Sequence, residues 1–229
     1  MFELPPSLIA GLTGFVFGVL LSIPVGPVNL TIMNEGARRG FFWAMVIGLG
    51  ASVMEVIYCA IAFTGFSSFF GNRVVKASME VFSFVFMLFL GIKFLMAKTV
   101  AAPMHISHAA DKIEERIEGK LQPHSAFMTG LVRVMGNPGV LLFWIVLATN
   151  FMSRGGVDPN LEGKLACVTG VALGTGLWFF ELSYAVSRGH GKFSEQTLLK
   201  MEHFSGATLL GFGLIQGAHI AWQLARHKI

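Results

Sequence analysis

The chain has 229 residues, 54% of them hydrophobic and 13% charged, with 22 phenylalanines and a mean hydropathy of +0.66. No water-soluble domain of this length hides so much apolar surface, so lipid is the expected solvent. The formal charge of +4 does not point to nucleic acid, because the basic residues lie scattered between apolar runs, where they read as topology signals and headgroup contacts. Cys59 and Cys167 both fall inside apolar segments and read as small buried hydrophobes. The first apolar run lacks a basic start and a small-residue cleavage site, so it is not expected to be a signal peptide.

The first predicted span runs from about Ser7, a candidate N-cap after Pro5-Pro6, to Met33, inside a stretch from Leu4 to Asn34 without a charged side chain. It contains Ser22-Ile23-Pro24-Val25-Gly26-Pro27-Val28-Asn29. Each proline removes an N–H and clashes with the preceding turn, so Pro24 and Pro27 predict a broken helix. In hydrocarbon, such a break survives only where protein or a water-lined cavity meets the freed backbone groups. Gly14 and Gly18, four apart, predict close helix contact. Span two, about Phe41 to Phe63, follows the basic turn Arg38-Arg39-Gly40 and carries Glu55 near its middle. Span three runs from about Ala77 to Ala97.

From Thr99 to His124 the chain is polar, with Ile106, Ala109, Ala110, Ile113, Ile117 and Leu121 at helical spacing, which predicts an amphipathic surface helix. His105, His108 and Asp111 within it read as a solvated face rather than a metal site, since nothing supplies a fourth ligand. Span four, about Ser125 to Met152, contains Arg133 and a second break at Asn137-Pro138-Gly139. Span five, about Leu165 to Ser187, carries Glu181. Span six, about His203 to Ala225, carries Gln216 and His219, which read as a polar helix end, and Trp222 as an interfacial anchor.

The two sets of three spans match internally. Gly48-Leu49-Gly50 followed by Glu55 reads as Gly174-Thr175-Gly176 followed by Glu181, and a proline break opens each half. An odd number of spans per half requires the second half to sit upside down relative to the first. The expected fold is therefore an all-α membrane protein of six transmembrane helices in two inverted three-helix repeats. Helices 1 and 4 are broken, residues 1–98 and 124–229 form the repeats, and residues 99–123 form the linker. Ten lysines and arginines on the side of the Arg38-Arg39 turn, against six on the other, favour a cytoplasmic first side with both termini outside.

Glu55 and Glu181 are the strongest candidates for chemistry. A carboxylate at mid-bilayer costs roughly 3 kcal/mol on insertion scales unless it is paired, solvated or protonated. Either glutamate reads as a coupling site or cage for a cationic group, or as a buried partner of Arg133. Arg133 in turn reads as the neutraliser of a glutamate or as the holder of a substrate carboxylate. Half-helices starting after Pro27 and Pro138 offer free N–H groups and a dipole to an anion, with Asn29 and Asn137 as neutral donors and acceptors beside them. A molecule with a carboxylate for the half-helix start and an ammonium for a glutamate is an amino acid. The candidate substrate-binding or coupling set is thus Pro24, Gly26, Pro27, Asn29, Glu55, Arg133, Asn137, Pro138 and Glu181, with no metal ligands and no cofactor. No nucleophile–base arrangement, phosphate loop or zinc motif suggests an enzyme.

Over nearly its whole length the chain resembles the LysE family of translocators, including the threonine/homoserine efflux (RhtB) branch. The residues that carry the resemblance are the Gly26-Pro27 break, Gly40 after the basic turn, Gly48 at the glycine-rich start of the second span, Gly91 late in the third, Asn137-Pro138 in the fourth, and the polar mid-chain loop. The resemblance implies a small six-helix inner-membrane protein that exports amino acids or related metabolites with proton coupling. The efflux branch commonly reads P-G-P where this chain has Pro24-Val25-Gly26-Pro27. The wider superfamily resembles divalent-metal exporters, which makes metal export the alternative expectation, although dense intramembrane Asp, His or Cys is missing. The glycine faces suit packing within a monomer or a homodimer.

Overall fold

The structure is a computed structural model that describes residues 5–24, 26–65, 73–98, 125–153, 155–188 and 194–226. The expected amphipathic helix and the His105, His108 and Asp111 face lie outside the described residues. Among those described there are eight helices and no strand: α1 Pro6–Ser22, α2 Pro27–Arg39, α3 Phe41–Gly65, α4 Arg73–Leu95, α5 Ala126–Met135, α6 Pro138–Ser153, α7 Leu161–Ser187 and α8 Glu195–Ala225. Three of them, α3, α7 and α8, are single helices long and apolar enough to cross a bilayer; α1–α2 and α5–α6 bring the number to five when each bent pair is taken as one span.

Both expected breaks are present. α1 and α2 meet at 72°, and α5 and α6 at 66°. The helix starts are set by local chemistry. α1 begins at Pro6 with Pro5 in the N-cap position and no side-chain cap, so the cap lies two residues before the expected Ser7. Proline is tolerated there because the first N–H of a helix has no partner to lose. The Ser125 side chain caps α5 by accepting from the Met128 N–H at 3.2 Å, and Asn160 caps α7 by accepting from the Gly163 N–H at 2.7 Å. α2 stops at Gly40, whose φ of 87° is a conformation that glycine adopts without strain. α8 starts well before the expected His203.

α3 and α7 form the centre. α3 packs on α2, α5, α6 and α7, while α7 packs on α1, α2 and α3; α4 lies against α6 and α8. Ser52 and Thr175 meet across the α3–α7 contact, hydroxyl to hydroxyl, at 2.5 Å. Helix association in lipid lacks a hydrophobic driving force and relies on close backbone approach. Glycine supplies it in two places. Gly14, Gly18, Gly170 and Gly174 bring α1 and α7 together, and Gly50 and Gly130 do the same for α3 and α5. The expected contact role of Gly14 and Gly18 is thus met inside one chain, against Cys167 and Val171. Cys59 and Cys167 are both free and buried.

The outer surface is apolar in stripes. Leu49, Val53, Ile57 and Ile61 recur every fourth residue on α3 with exposures of 40–45%, and Val81, Val85, Phe89 and Ile92, three or four apart, form a similar exposed stripe on α4. Water does not tolerate such continuous patches, and a bilayer does. The chain is a multi-pass membrane protein.

Candidate functional site

The two breaks face one another across a small cavity of about 50 Å³. The structure brings together at its wall seven of the residues singled out from the sequence: Pro24, Gly26, Pro27, Asn29, Glu55, Arg133 and Asn137. Pro138 follows Asn137 directly and starts α6. Glu181 is not among the lining residues. It lies on an exposed side of α7, which faces the cavity instead with Phe179.

Each side chain is positioned by a specific demand of the backbone. Where α1 ends, the carbonyls of Ser22 and Pro24 lose their helical donors. The Asn29 amide donates to both, at 2.8 Å each, while its oxygen accepts from the Trp178 indole at 3.4 Å. Asn29 is therefore a brace across the break, and its donors are already engaged. At the second break, Asn137 Oδ1 accepts from the Gly139 N–H at 3.0 Å and caps the start of α6. The Met135 carbonyl, at the end of α5, accepts from the Tyr58 hydroxyl at 2.8 Å. Both broken spans thus meet the rule that freed backbone groups in a membrane need partners.

The Asn29 bonds carry a measurable consequence. Replacing Asn29 by leucine strips two buried carbonyls of their donors, at roughly 1–3 kcal/mol each. The Asn29→Leu protein in detergent is expected to lose about 2 kcal/mol or more of stability. An unchanged thermal transition would show that the break holds without the brace.

The first break differs from the second in polarity. α2 starts at Pro27 after an extended Gly26, and no side chain caps it. Its Val28 and Asn29 stand at the cavity wall. The partial positive charge of a helix start is therefore presented to the cavity at α2, whereas α6 is capped by its own Asn137. Facing this end, Glu55 is 8% exposed on α3, and its carboxylate accepts from the Trp144 indole N–H at 2.5 Å. Arg133, in the last turn of α5, also lines the cavity.

A second, polar space of about 650 Å³ adjoins the first and shares Pro27 and Arg133 with it. Its wall includes Glu35, Arg39, Trp43 and Ser125. Arg39 lies 3.4 Å from the Glu35 carboxylate and 3.8 Å from the centre of the Trp43 ring. This vestibule opens where α2 ends and α5 begins. The inner cavity has room for a few water molecules.

A chain with two broken helices around a charged, mid-span cavity fits a translocator, and the family comparison decides which kind. The LysE type translocator family matches residues 19–216. The chain belongs to the LysE family. The "Putative amino acid efflux protein YcgF" of Bacillus subtilis is 28% identical over 90% of this chain and 94% of its own length. The "Chemotactic transduction protein ChpE" of Pseudomonas aeruginosa is 21% identical over 74% of this chain and 78% of its own length. No solved structure matches the chain.

Several residues of this LysE-family site escape a reading of the sequence. Trp144 and Tyr58 hold the site through contacts far apart in the chain, and Phe179 closes it from α7. Trp144 carries a weak signal, because an indole N–H in the middle of a span needs an acceptor. Glu202 is 2% exposed where α8 runs beside α4, yet it does not line the cavity. Gln216, expected at a polar helix end, is buried and donates to the Glu80 carbonyl at 3.0 Å. Among the described residues no three His, Cys, Asp or Glu side chains converge as a metal site.

Proposed function

We propose that this LysE-family protein exports amino acids or related small metabolites across the inner membrane, with protons as the coupling ion. One observation carries the reading: Glu55, Arg133 and the uncapped start of α2 line a single cavity between two helix breaks. That set is complementary to a zwitterion. The ammonium goes to Glu55, and the carboxylate goes to Arg133 and the α2 N–H groups. The name of the Bacillus subtilis relative, which refers to amino acid efflux, points the same way.

In this reading residues 1–98 and 124–229 are inverted repeats joined by a linker at 99–123, and both termini lie outside the cytoplasm. The reciprocal glycine contacts, α1 on α7 and α5 on α3, support the repeat. The excess of Lys and Arg on the side of the α2–α3 turn supports the orientation, with the vestibule then facing the cytoplasm. Substrate enters the vestibule, passes Arg133, and is held at Glu55 while the breaks rearrange. A carboxyl group that exchanges a proton with the far side then couples the return step to the proton gradient.

The test is uptake into proteoliposomes carrying an imposed pH gradient, with labelled lysine, threonine and leucine, followed by Mn²⁺ and Cd²⁺. Gradient-driven movement of at least one amino acid is expected. Movement of metal alone would replace this reading with the divalent-cation alternative.

A further inference from the structure

The cavity at the breaks is one of a row. On the vestibule side it shares Pro27 and Arg133 with the polar space. On the opposite side it shares Leu21 and Pro24 with a narrow apolar space of about 10 Å³ between α1, α4, α6 and α8. That space in turn shares Phe17 and Phe212 with a larger one of about 140 Å³, whose wall reaches Asn150, Phe151 and Gly156 at the α6–α7 turn. Neighbouring spaces with common wall residues form a series, and this one runs from the α2–α3 end of the molecule to the α6–α7 end. Its narrowest member is the one flanked by phenylalanines.

Three rings meet where this narrow space joins the larger one, Phe17 and Phe212 lining both and Phe151 lining the larger. Phe17 lies 4.8 Å, centroid to centroid, from both Phe151 and Phe212, edge-on to the first and tilted against the second. They come from three separate helices, α1, α6 and α8, so relative movement of those helices separates them. Phe17 and Phe212 are partly buried, and each lines the space on both sides of the contact. α1 and α6 also each carry one arm of a break, which links ring separation to rearrangement at the site.

We propose that Phe17, Phe151 and Phe212 form the gate that closes the substrate path on the side of the α6–α7 turn. The gate rests on the translocator reading above. Aromatic rings are suited to gating because they exclude water and ions when in contact, and offer an apolar but polarisable surface to a passing amino acid when apart. A substrate with an apolar side chain crosses such a constriction more easily than one with a second charge. The gate therefore also favours neutral amino acids in the final step of export.

The gate can be tested without transport. In a Cys59→Ala, Cys167→Ala background, Leu21→Cys places a reporter thiol between the site and the gate. Sealed membrane vesicles of either orientation are treated with a small, membrane-impermeant methanethiosulfonate. With the three rings intact, modification from the α6–α7 side is expected to be slow. Phe212→Ala should accelerate it at least tenfold and leave the rate from the vestibule side within twofold; Phe17→Ala, on a different helix, should do the same. Equal rates from the α6–α7 side with and without the rings would overturn the gate, and so would acceleration from both sides alike, the mark of general loosening. Amino-acid flux is measured separately on the unmodified protein. Its absence would sink the export reading while the labelling result still judged the gate.

Discussion

Glu55→Gln is expected to lower gradient-driven amino-acid flux at least tenfold, while Glu181→Gln leaves it within twofold. The two glutamates look equivalent in the sequence, each seven residues after a Gly-x-Gly pair begins. Their surroundings differ. Glu55 lines the cavity beside Arg133 and is almost wholly buried, whereas Glu181 is exposed on α7. Glutamine keeps the shape of the side chain, and its carbonyl accepts from the Trp144 indole as the carboxylate does. The fold should therefore survive and the charge alone should be lost. A charge-assisted contact is worth roughly 1.5–3 kcal/mol, and tenfold corresponds to about 1.4 kcal/mol, so a tenfold loss is the lower bound for one such contact to substrate. Equal losses in the two variants, read in the same proteoliposome assay, would mean that the cavity is not where the substrate ammonium binds.

The largest effect on stability is expected at Gly130. A Cβ built there would run into the Ile47 carbonyl oxygen and sit 2.9 Å from the Ala51 amide nitrogen. Both are backbone atoms of α3, so no rotamer change relieves the overlap and the two helices must separate. Forced overpacking of this kind costs about 3 kcal/mol, and the loss of close backbone contact in lipid adds to it. Gly176 is the matched control, because nothing lies within 4 Å of its would-be Cβ. Gly130→Ala should show a clearly lower thermal transition in detergent. Gly176→Ala should be neutral or slightly stabilising, since alanine favours the helix by roughly 1 kcal/mol over glycine. Similar transitions for both variants would show that the α3–α5 contact does not limit stability.

The parts of the molecule legible in the sequence are those with a local cause. Proline removes an N–H wherever it stands, so the breaks after Ser22 and before Pro138 follow from composition alone. Gly14 and Gly18 announce a close contact because no other residue leaves a bare face, although the sequence does not say that α7 fills it. The wall of the candidate cavity was largely legible for the same reason: most of it is the two breaks themselves. Glu181 shows where local reasoning stops. Gly50 seats against Phe127 and Leu131 on α5 as Gly174 seats against Phe15 and Val19 on α1, which makes Gly50 and Gly174 counterparts by contact. The sequence match pairs Gly48 with Gly174, a slip of two residues. Two residues turn a helix by about 200°, enough to carry an acidic side chain from the cavity to the opposite face. Asn29 was legible as a polar residue at the break but not as a brace, because its acceptors are carbonyls that exist only once the helix has broken.

The crossed glycine contacts also bear on how the chain is built. α1 is made first, yet the helix that covers its glycine face, α7, is among the last to leave the ribosome. α5 likewise finds its seat on α3, with α4 between them in the chain. Neither contact can close until its later helix is made, so packing in the membrane proceeds by waiting and clasping. Long-range contacts of this kind slow folding, because chain ends far apart must be brought together before any packing is gained. During that wait the bare backbone of α1 stands open to any other small-residue helix in the same bilayer.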